Sequence, residues 1–285
     1  MHLSFKQSIP QLPPISTVEL KSYRKYKALF HTGWKYDIIR LFIQNQERKE
    51  CNTHHLFRWF LLQNESMLTY KRVLESDKIK TYIIRADESL TCLGYTEHSF
   101  AHVTHVAETA GYILKTLGHD DRTIELAKIA GYLHDIGNLV NRKDHAQSGA
   151  VMAWSILNDM GCDAAEVATI VTAIGNHDEG TGVPVNTVAA AMILADKADV
   201  RRSRVRNTDI SKFDIHDRVN YSVKKSALKI NEDKTIVKLK LTVDTKFGSV
   251  MDYFEIFMTR MVLCRKAAEK LGLQFKLIIN EQQLI

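Results

Sequence analysis

Four cysteines, Cys51, Cys92, Cys162 and Cys264, are scattered through the chain with no C-x-x-C pair. That spacing argues against a zinc knuckle and against a disulfide framework, and it leaves reduced thiols. Prolines are as few, and three of the four, Pro10, Pro13 and Pro14, fall in the first 14 residues, which are expected to be an extended tail. No run of about 18 uncharged apolar residues occurs, and no basic-then-apolar leader opens the sequence, so neither a membrane span nor a secretory signal is expected. The expectation is a cytosolic protein. What is present is ordinary for a globular chain: 285 residues, 45% hydrophobic and 25% charged. Residues 1–80 carry 14 Lys and Arg against 7 Asp and Glu, so the net charge of +6 resides there. The excess is spread along helical patterns rather than gathered in a block, which makes a solvated face the preferred reading and nucleic-acid binding a disfavoured one.

Helical patterns begin near Thr17, where Ser16 and Glu19 form a capping box, and recur at 35–47, 53–63 and 77–90. His54 and His55 have no carboxylate at ligand spacing. The chain changes character at Thr91. Eight of the 12 histidines lie between residues 98 and 216. Glu97 to Val106 opens a helix that Gly118 should close, with His98, His102 and His105 spaced four and three apart. The next helix, with Ile124, Leu126, Ala127, Ile129, Ala130 and Leu133 on one face, ends in His134-Asp135 before Gly137. A pair so placed is either a helix C-terminus or a charged group needing a neutralising partner. His145 opens a third helix, and a fourth, from about Ala164, runs to Asn176-His177. A fifth, 188–200, is almost wholly apolar until Asp196, Lys197 and Asp199. A carboxylate kept late in an apolar helix should have a partner.

The ordered set His102, His134-Asp135, His145, His177 and Asp196 resembles the HD superfamily of metal-dependent phosphohydrolases. His102-x-x-His105-Val106 is similar to the family's opening motif, Leu133 to Gly137 to its eponymous one, and Ala195-Asp196 with Arg202 to its last. The likeness covers about residues 91–206 and is nearest to the HD domain of ribonuclease Y, with a further similarity of residues 177–184 to the HD-GYP phosphodiesterases. The resemblance implies an all-α bundle holding one or two divalent transition ions (Mn, Fe or Zn). His102, His134, Asp135 and Asp196 would hold one ion, and Asp135 would bridge to a second held with His145 and His177. His98, one turn earlier, stands where some relatives place an extra ligand. His105 matches an orienting position rather than a ligand. Mixed His and Asp donors suit such ions, which screen phosphate charge and activate water.

Three positions depart from the relatives: Asn138 replaces a common Lys, Asn176 the first of two adjacent histidines, and Val183 the Tyr of Gly-Tyr-Pro. Arg142 and Lys143 are candidates for the cation that Asn138 does not supply, and Arg202, at the family spacing, is a candidate phosphate contact. Asp199 is either a partner of a ligand or solvent-facing. No KH-like Gly-x-x-Gly loop is present.

Beyond the site, residues 214–225 read as a helix. Val237, Leu239, Leu241 and Val243 then alternate with Lys238, Lys240 and Thr242 behind a turn at 231–233, which predicts a β-hairpin. A helix over 249–271, with Val250, Met251, Phe254, Phe257, Met258, Met261 and Val262 as its apolar side, and a strand over 273–279 complete the chain. The expected fold is mainly α, an HD helical bundle with a helical N-terminal extension and a small C-terminal α+β unit. The domain expectation is a tail over 1–16, a basic helical region over 17–90, the HD domain over 91–226 and the α+β unit over 227–285. The expected function is hydrolysis of a phosphate ester in a nucleotide, cyclic nucleotide or other phosphorylated small molecule, without a membrane partner and with a homodimer as one arrangement. A regulatory nucleotide-binding protein with a degenerate site and an RNA-binding adaptor are the alternatives.

Overall fold

A helix whose residues are apolar on every side has to be surrounded, and Val188 to Ala198 meets that condition: each of these residues is buried. The computed structural model describes residues 67–284. The helices expected over 17–63 lie outside the described residues. Within them the order is α1 (Tyr70–Glu75), α2 (Asp77–Cys92), α3 (Phe100–Leu117), α4 (Asp121–Leu133), a 3-10 turn (Ile136–Leu139), α5 (His145–Asp159), α6 (Ala164–Gly175), α7 (Thr187–Ala198), 3-10 turns at Arg202–Arg204 and Ile210–Lys212, and α8 (Ile215–Ser222). Strands β1 (Val223–Ile230) and β2 (Ile236–Val243), helix α9 (Val250–Lys270), and strands β3 (Gln274–Ile279) and β4 (Gln282–Gln283) follow. The described part is mainly helical with a small C-terminal sheet, as the sequence pattern predicts. No helix among the described residues is long and apolar enough to cross a membrane.

The central helix α7 packs against α3, α4, α6 and α9, and α3 lies along α4. Side-chain caps start the helices that carry the site. Ser99 accepts from Ala101 N at α3, Asp120 from Thr123 N at α4, Asp163 from Ala165 N at α6 and Asn186 from Ala189 N at α7. Gly118, at φ 89°, ends α3 in the left-handed conformation that a glycine adopts without strain. Helix α2 packs on the Ile136–Leu139 turn, so a segment N-terminal to the histidine-rich stretch covers its floor.

The sheet runs β1-β2-β3-β4, with β1 and β2 antiparallel, β2 and β3 parallel, and β3 and β4 antiparallel. Its inner residues Val237, Leu239, Leu241, Phe275, Leu277 and Ile279 are buried, and α9 packs against both β3 and α7. Two boundaries differ from the sequence pattern. The helix expected over 214–225 stops at Ser222, because Val223 is already paired with Val243 in the sheet and leaves no linking loop. The apolar side expected for α9 is also rotated: Tyr253, Phe257, Met261, Cys264, Ala267 and Ala268 are buried, whereas Met251, Met258 and Val262 are exposed. Apolar residues ring this helix, and the face turned inward is the one that also brings Arg260 to a partly buried carboxylate, Glu179.

Candidate metal centre

Five helix ends converge here. His102 lies in the first turn of α3, His134 caps α4, Asp135 follows it, His145 opens α5, His177 follows α6, and Asp196 lies in the last turn of α7. All six are buried. Helix ends bring polar side chains together where backbone carbonyls are also unpaired, and those carbonyls orient the rings. Gly131 O lies 2.7 Å from His134 Nδ1, Arg142 O 3.0 Å from His145 Nδ1 and Ile174 O 2.6 Å from His177 Nδ1. His102 Nδ1 lies 2.8 Å from Asp199 Oδ2. A carbonyl or carboxylate oxygen can only accept, so each of those Nδ1 atoms carries a proton and each Nε2 is the ring atom left for the site.

The four Nε2 atoms meet around Asp135. Its Oδ2 lies 3.1 Å from His134 Nε2 and 3.5 Å from His102 Nε2; its Oδ1 lies 3.5 Å from His145 Nε2 and 3.9 Å from His177 Nε2. Asp196 Oδ1 adds a second carboxylate on the first side, 3.4 Å from His102 Nε2 and 3.6 Å from His134 Nε2. The donors form two overlapping groups able to hold an ion, His102 with His134 and Asp196, and His134 with Asp135 and His177. Two buried carboxylates among four imidazole Nε2 atoms match the donor chemistry of a borderline divalent ion, so the residues present fit the group that the resemblance implies.

Electrostatics follow from this geometry. Burial pushes the Asp135 carboxyl upward, but His134, His98 and His102 overcome it and hold Asp135 well below the usual carboxylate range. Burial acts likewise on Asp196, where Lys197, His102 and His134 prevail. Burial alone would depress His134, yet Asp135 and Asp196 push it up to about 10, whereas burial and Lys197 take His177 down to about 3. A proton on His134 and a divalent ion compete for the same carboxylates.

His98 precedes α3 rather than sitting in it, because Ser99 is the cap. It is nonetheless oriented like the others, with Nδ1 2.6 Å from Thr96 O and Nε2 4.0 Å from Asp135 Oδ2. His105 does not share the point: it is half exposed, with Nε2 4.0 Å from Asp199 Oδ1. Asp199 itself is buried, accepts from Arg201 Nε at 2.7 Å and carries His102, so the partner reading of this residue holds.

The three candidate phosphate contacts, Arg142, Lys143 and Arg202, are placed differently. Arg142 reaches the site, with Nη1 3.3 Å from Asn138 Oδ1 and 3.4 Å from His145 Nε2 and its guanidinium over the Tyr95 ring. Asn138 in turn donates through Nδ2 to Asp135 Oδ1 at 2.9 Å, so it links Arg142 to the central carboxylate. Lys143 is exposed, and it is its backbone N–H that is engaged, donating to Asn141 Oδ1. Arg202 faces the C-terminal unit: Nε donates to Tyr221 O at 2.6 Å, Nη2 lies 3.6 Å from Asp244, and the guanidinium stacks on Tyr221 and Phe247. Asn176 folds back on α6, donating to Thr172 O.

Sequence spacing gave no sign of one more layer. Lys197 Nζ lies 2.6 Å from Asp196 Oδ2 and 3.3 Å from Glu179 Oε1, and Glu179 accepts from Arg260 Nε of α9 at 2.8 Å. Lys197 was visible beside Asp196, but Arg260, 81 residues along the chain from Glu179, was not. Gly137 is required by the packing beneath the site: a Cβ there would lie 2.0 Å from His145 O.

Residues 99–218 match the HD domain family, and the chain carries an HD domain with the buried His and Asp cluster just described. Among curated proteins it is 26% identical over 198 residues to an uncharacterized protein of Methanocaldococcus jannaschii, covering 61% of this chain and 76% of that one. It is 27% identical over 119 residues to ribonuclease Y of Bacillus subtilis and 28% identical over 122 residues to ribonuclease Y 1 of Pediococcus pentosaceus. Each of those two matches covers 42% of this chain and 21% of the ribonuclease. A solved structure described as a predicted HD superfamily hydrolase from an uncultured Thermotogales bacterium is 27% identical, covering 44% of this chain and 67% of that chain at a TM-score of 0.36.

Proposed function

We propose that this protein is a metal-dependent phosphohydrolase that cleaves a phosphate ester at the Asp135 cluster. The observation that carries the reading is the common orientation of His102, His134, His145 and His177: every Nδ1 is anchored by an oxygen, and every Nε2 is turned toward Asp135. Imidazoles used only for packing have no reason to agree in this way. His102, His134 and Asp196 would hold one divalent ion and His145 and His177 a second, with Asp135 between them and His98 within reach of the first. Ions so held supply Lewis acidity toward phosphoryl oxygens and acidify water near neutral pH.

The chain's own groups then have separable tasks. Asp199 and the three carbonyls fix the ring orientations, which keeps the donors from reorganising as charge develops. Arg142, stacked on Tyr95 and tied to Asn138, supplies the fixed positive charge at the rim and binds a substrate phosphate. Asn138 holds Asp135 Oδ1, a task that needs a donor and no charge, so the loss of the lysine common in relatives leaves the centre intact. Lys197 balances Asp196 against Glu179 and keeps that carboxylate ionised.

The test is a screen of purified protein reconstituted with Mn, Fe or Zn against phosphomonoesters, nucleotides, cyclic nucleotides and short oligonucleotides. Metal-dependent hydrolysis that disappears in Asp135→Ala is expected. Arg142→Ala should raise KM more than it lowers kcat, since it contacts a phosphate present in both ground and transition states. A metal-loaded protein inert across the whole screen that still binds a nucleotide would replace this reading with the regulatory one.

A further inference from the structure

The outer face of the C-terminal sheet carries charge of one sign. Register sets Lys229 opposite Lys238, and Lys238 beside Lys276, so three lysines form one row across β1, β2 and β3. Lys240, next along β2, and Lys225, near the start of β1, point the same way, with Ala227, Thr242, Gln274 and Ile278 between them. No Asp or Glu occupies this face of the three strands, and none of the five lysines is in an ion pair among the described residues. Nearby acids are at its margins: Glu232 and Asp233 at the hairpin tip, and Asp244, which is taken by Lys224 at 2.9 Å.

Like charges opposite one another destabilise a sheet, so this arrangement has a cost. Lysines do protect exposed edges from pairing. That purpose accounts for β1, which is an edge, and for Lys276, since β4 pairs β3 only at Ile278 and Ile279, but not for Lys238 and Lys240 in β2, which has a strand on either side. A solvated surface of a chain with 33 acidic residues would be expected to intersperse both signs.

Beside this face runs a groove between α3 and β1. One part, of about 370 Å³, is lined by His105, Arg201, Lys224, Lys225 and Asp199, whose carboxylate is paired with Arg201, and an adjoining part of about 320 Å³ shares His105 and Ser226 and extends to Tyr112. His105 and Tyr112 lie seven residues apart on α3, hence on the same side of the helix, and both are about half exposed, 54% for the His105 side chain and 45% for Tyr112. Lys225 belongs to both the groove and the sheet face. The carboxylate in the Tyr112 part of the groove, Glu108, is paired with Lys128 at 2.7 Å.

We propose that the lysine face and the adjoining groove bind single-stranded nucleic acid, with the phosphate backbone on Lys225, Lys229, Lys238 and Lys240 and bases stacked on Tyr112 and His105. Spaced cations beside ring faces are the combination that single strands require. The cationic face measures about 13 Å along β1 and about 10 Å across three strands, enough for a few phosphates. A planar anionic bilayer would meet the lysines but could not follow the groove, and a duplex would keep its bases from the two rings. The proposal does not depend on what the metal centre hydrolyses.

The experiment measures binding of a labelled oligoribonucleotide of about 20 nucleotides, longer than the roughly 4–16 that one single-strand-binding fold occupies. The full chain is used in EDTA, which removes metal-dependent cleavage, across a salt series. The triple variant Lys229→Gln, Lys238→Gln, Lys240→Gln should reduce the slope of log K against log salt by about 2, at about 0.7 per lost contact, and Tyr112→Ala should weaken binding about tenfold with little change of slope. A control triple on exposed helical lysines, Lys71→Gln, Lys115→Gln, Lys266→Gln, removes the same charge elsewhere and should leave the slope nearer that of the wild type. Equal losses in the two triples, an unchanged slope in the face triple, or a silent Tyr112→Ala would overturn the proposal. So would vesicles of phosphatidylserine and phosphatidylcholine that require the three lysines while the RNA does not.

Discussion

The helical bundle and the C-terminal sheet treat charge in opposite ways. In the bundle, Asp135, Asp196 and Asp199 are nearly inaccessible, and each faces histidines, Lys197 or arginines at close range. On the sheet, five lysines stand beside one another with no counter-charge on their face. Water explains why both persist. A buried ion without a partner costs several kcal/mol, so the bundle had to satisfy every carboxylate, whereas exposed lysines are screened and repel weakly. The first arrangement suits an occupant small enough to enter a closed cluster; the second suits one large enough to span strands.

Removing Asp135 should separate the two regions most sharply. Asp135→Ala deletes the group that all four Nε2 atoms share, and metal content and hydrolysis should fall by more than the roughly 10–100-fold that loss of an outer partner costs, while the helical circular dichroism and any RNA affinity in EDTA persist. Elemental analysis beside the activity assay checks this. Asp199→Ala should follow, with metal affinity reduced about 10–100-fold through a His102 ring that is no longer held, and isothermal titration is the readout.

Acidification should affect only the bundle. The His134 imidazole is held up to about 10, so at any pH below that a bound ion must displace its proton; His177, held down to about 3, sets no such competition above that value. Apparent metal affinity should therefore fall about tenfold per pH unit for each proton displaced as pH drops from about 9 to about 5, measured by competition with a chelator. Arg260→Met comes next, leaving Glu179 with Lys197 alone; the expected loss is about 2 kcal/mol in thermal or urea unfolding, with the metal site retained.

The smallest effect has the opposite sign. Lys238→Thr removes the middle charge of the Lys229, Lys238, Lys276 row and places a β-branched residue in a central strand, so it should stabilise the fold by roughly 0.2–1 kcal/mol in urea denaturation. A sheet built for stability alone would already have made that exchange.

Local chemistry in the sequence was enough to mark the six residues that the structure gathers into one buried cluster. Apolar periodicity located the helices that carry the site, though not the short α1, breakers such as Gly118 located ends, and histidines and aspartates at those ends are residues whose donors suit an ion. Alternation in 237–243 likewise announced the hairpin, because side chains on a strand change face at every residue. Only tertiary structure decided which lone pair each histidine presents, since that depends on Gly131 O, Arg142 O, Ile174 O and Asp199 standing at hydrogen-bonding distance from the far side of each ring. It also divided the arginines: spacing favoured Arg202, but Tyr221, Phe247 and Asp244 take its charge, while the short 3-10 turn after Asp135 brings Arg142 to the cluster. Net charge was similarly uninformative. Residues 81–285 carry nearly equal numbers of acids and bases, and the lysine face exists because strand register, a property of pairing between distant segments, collects Lys229, Lys238 and Lys276 into one row.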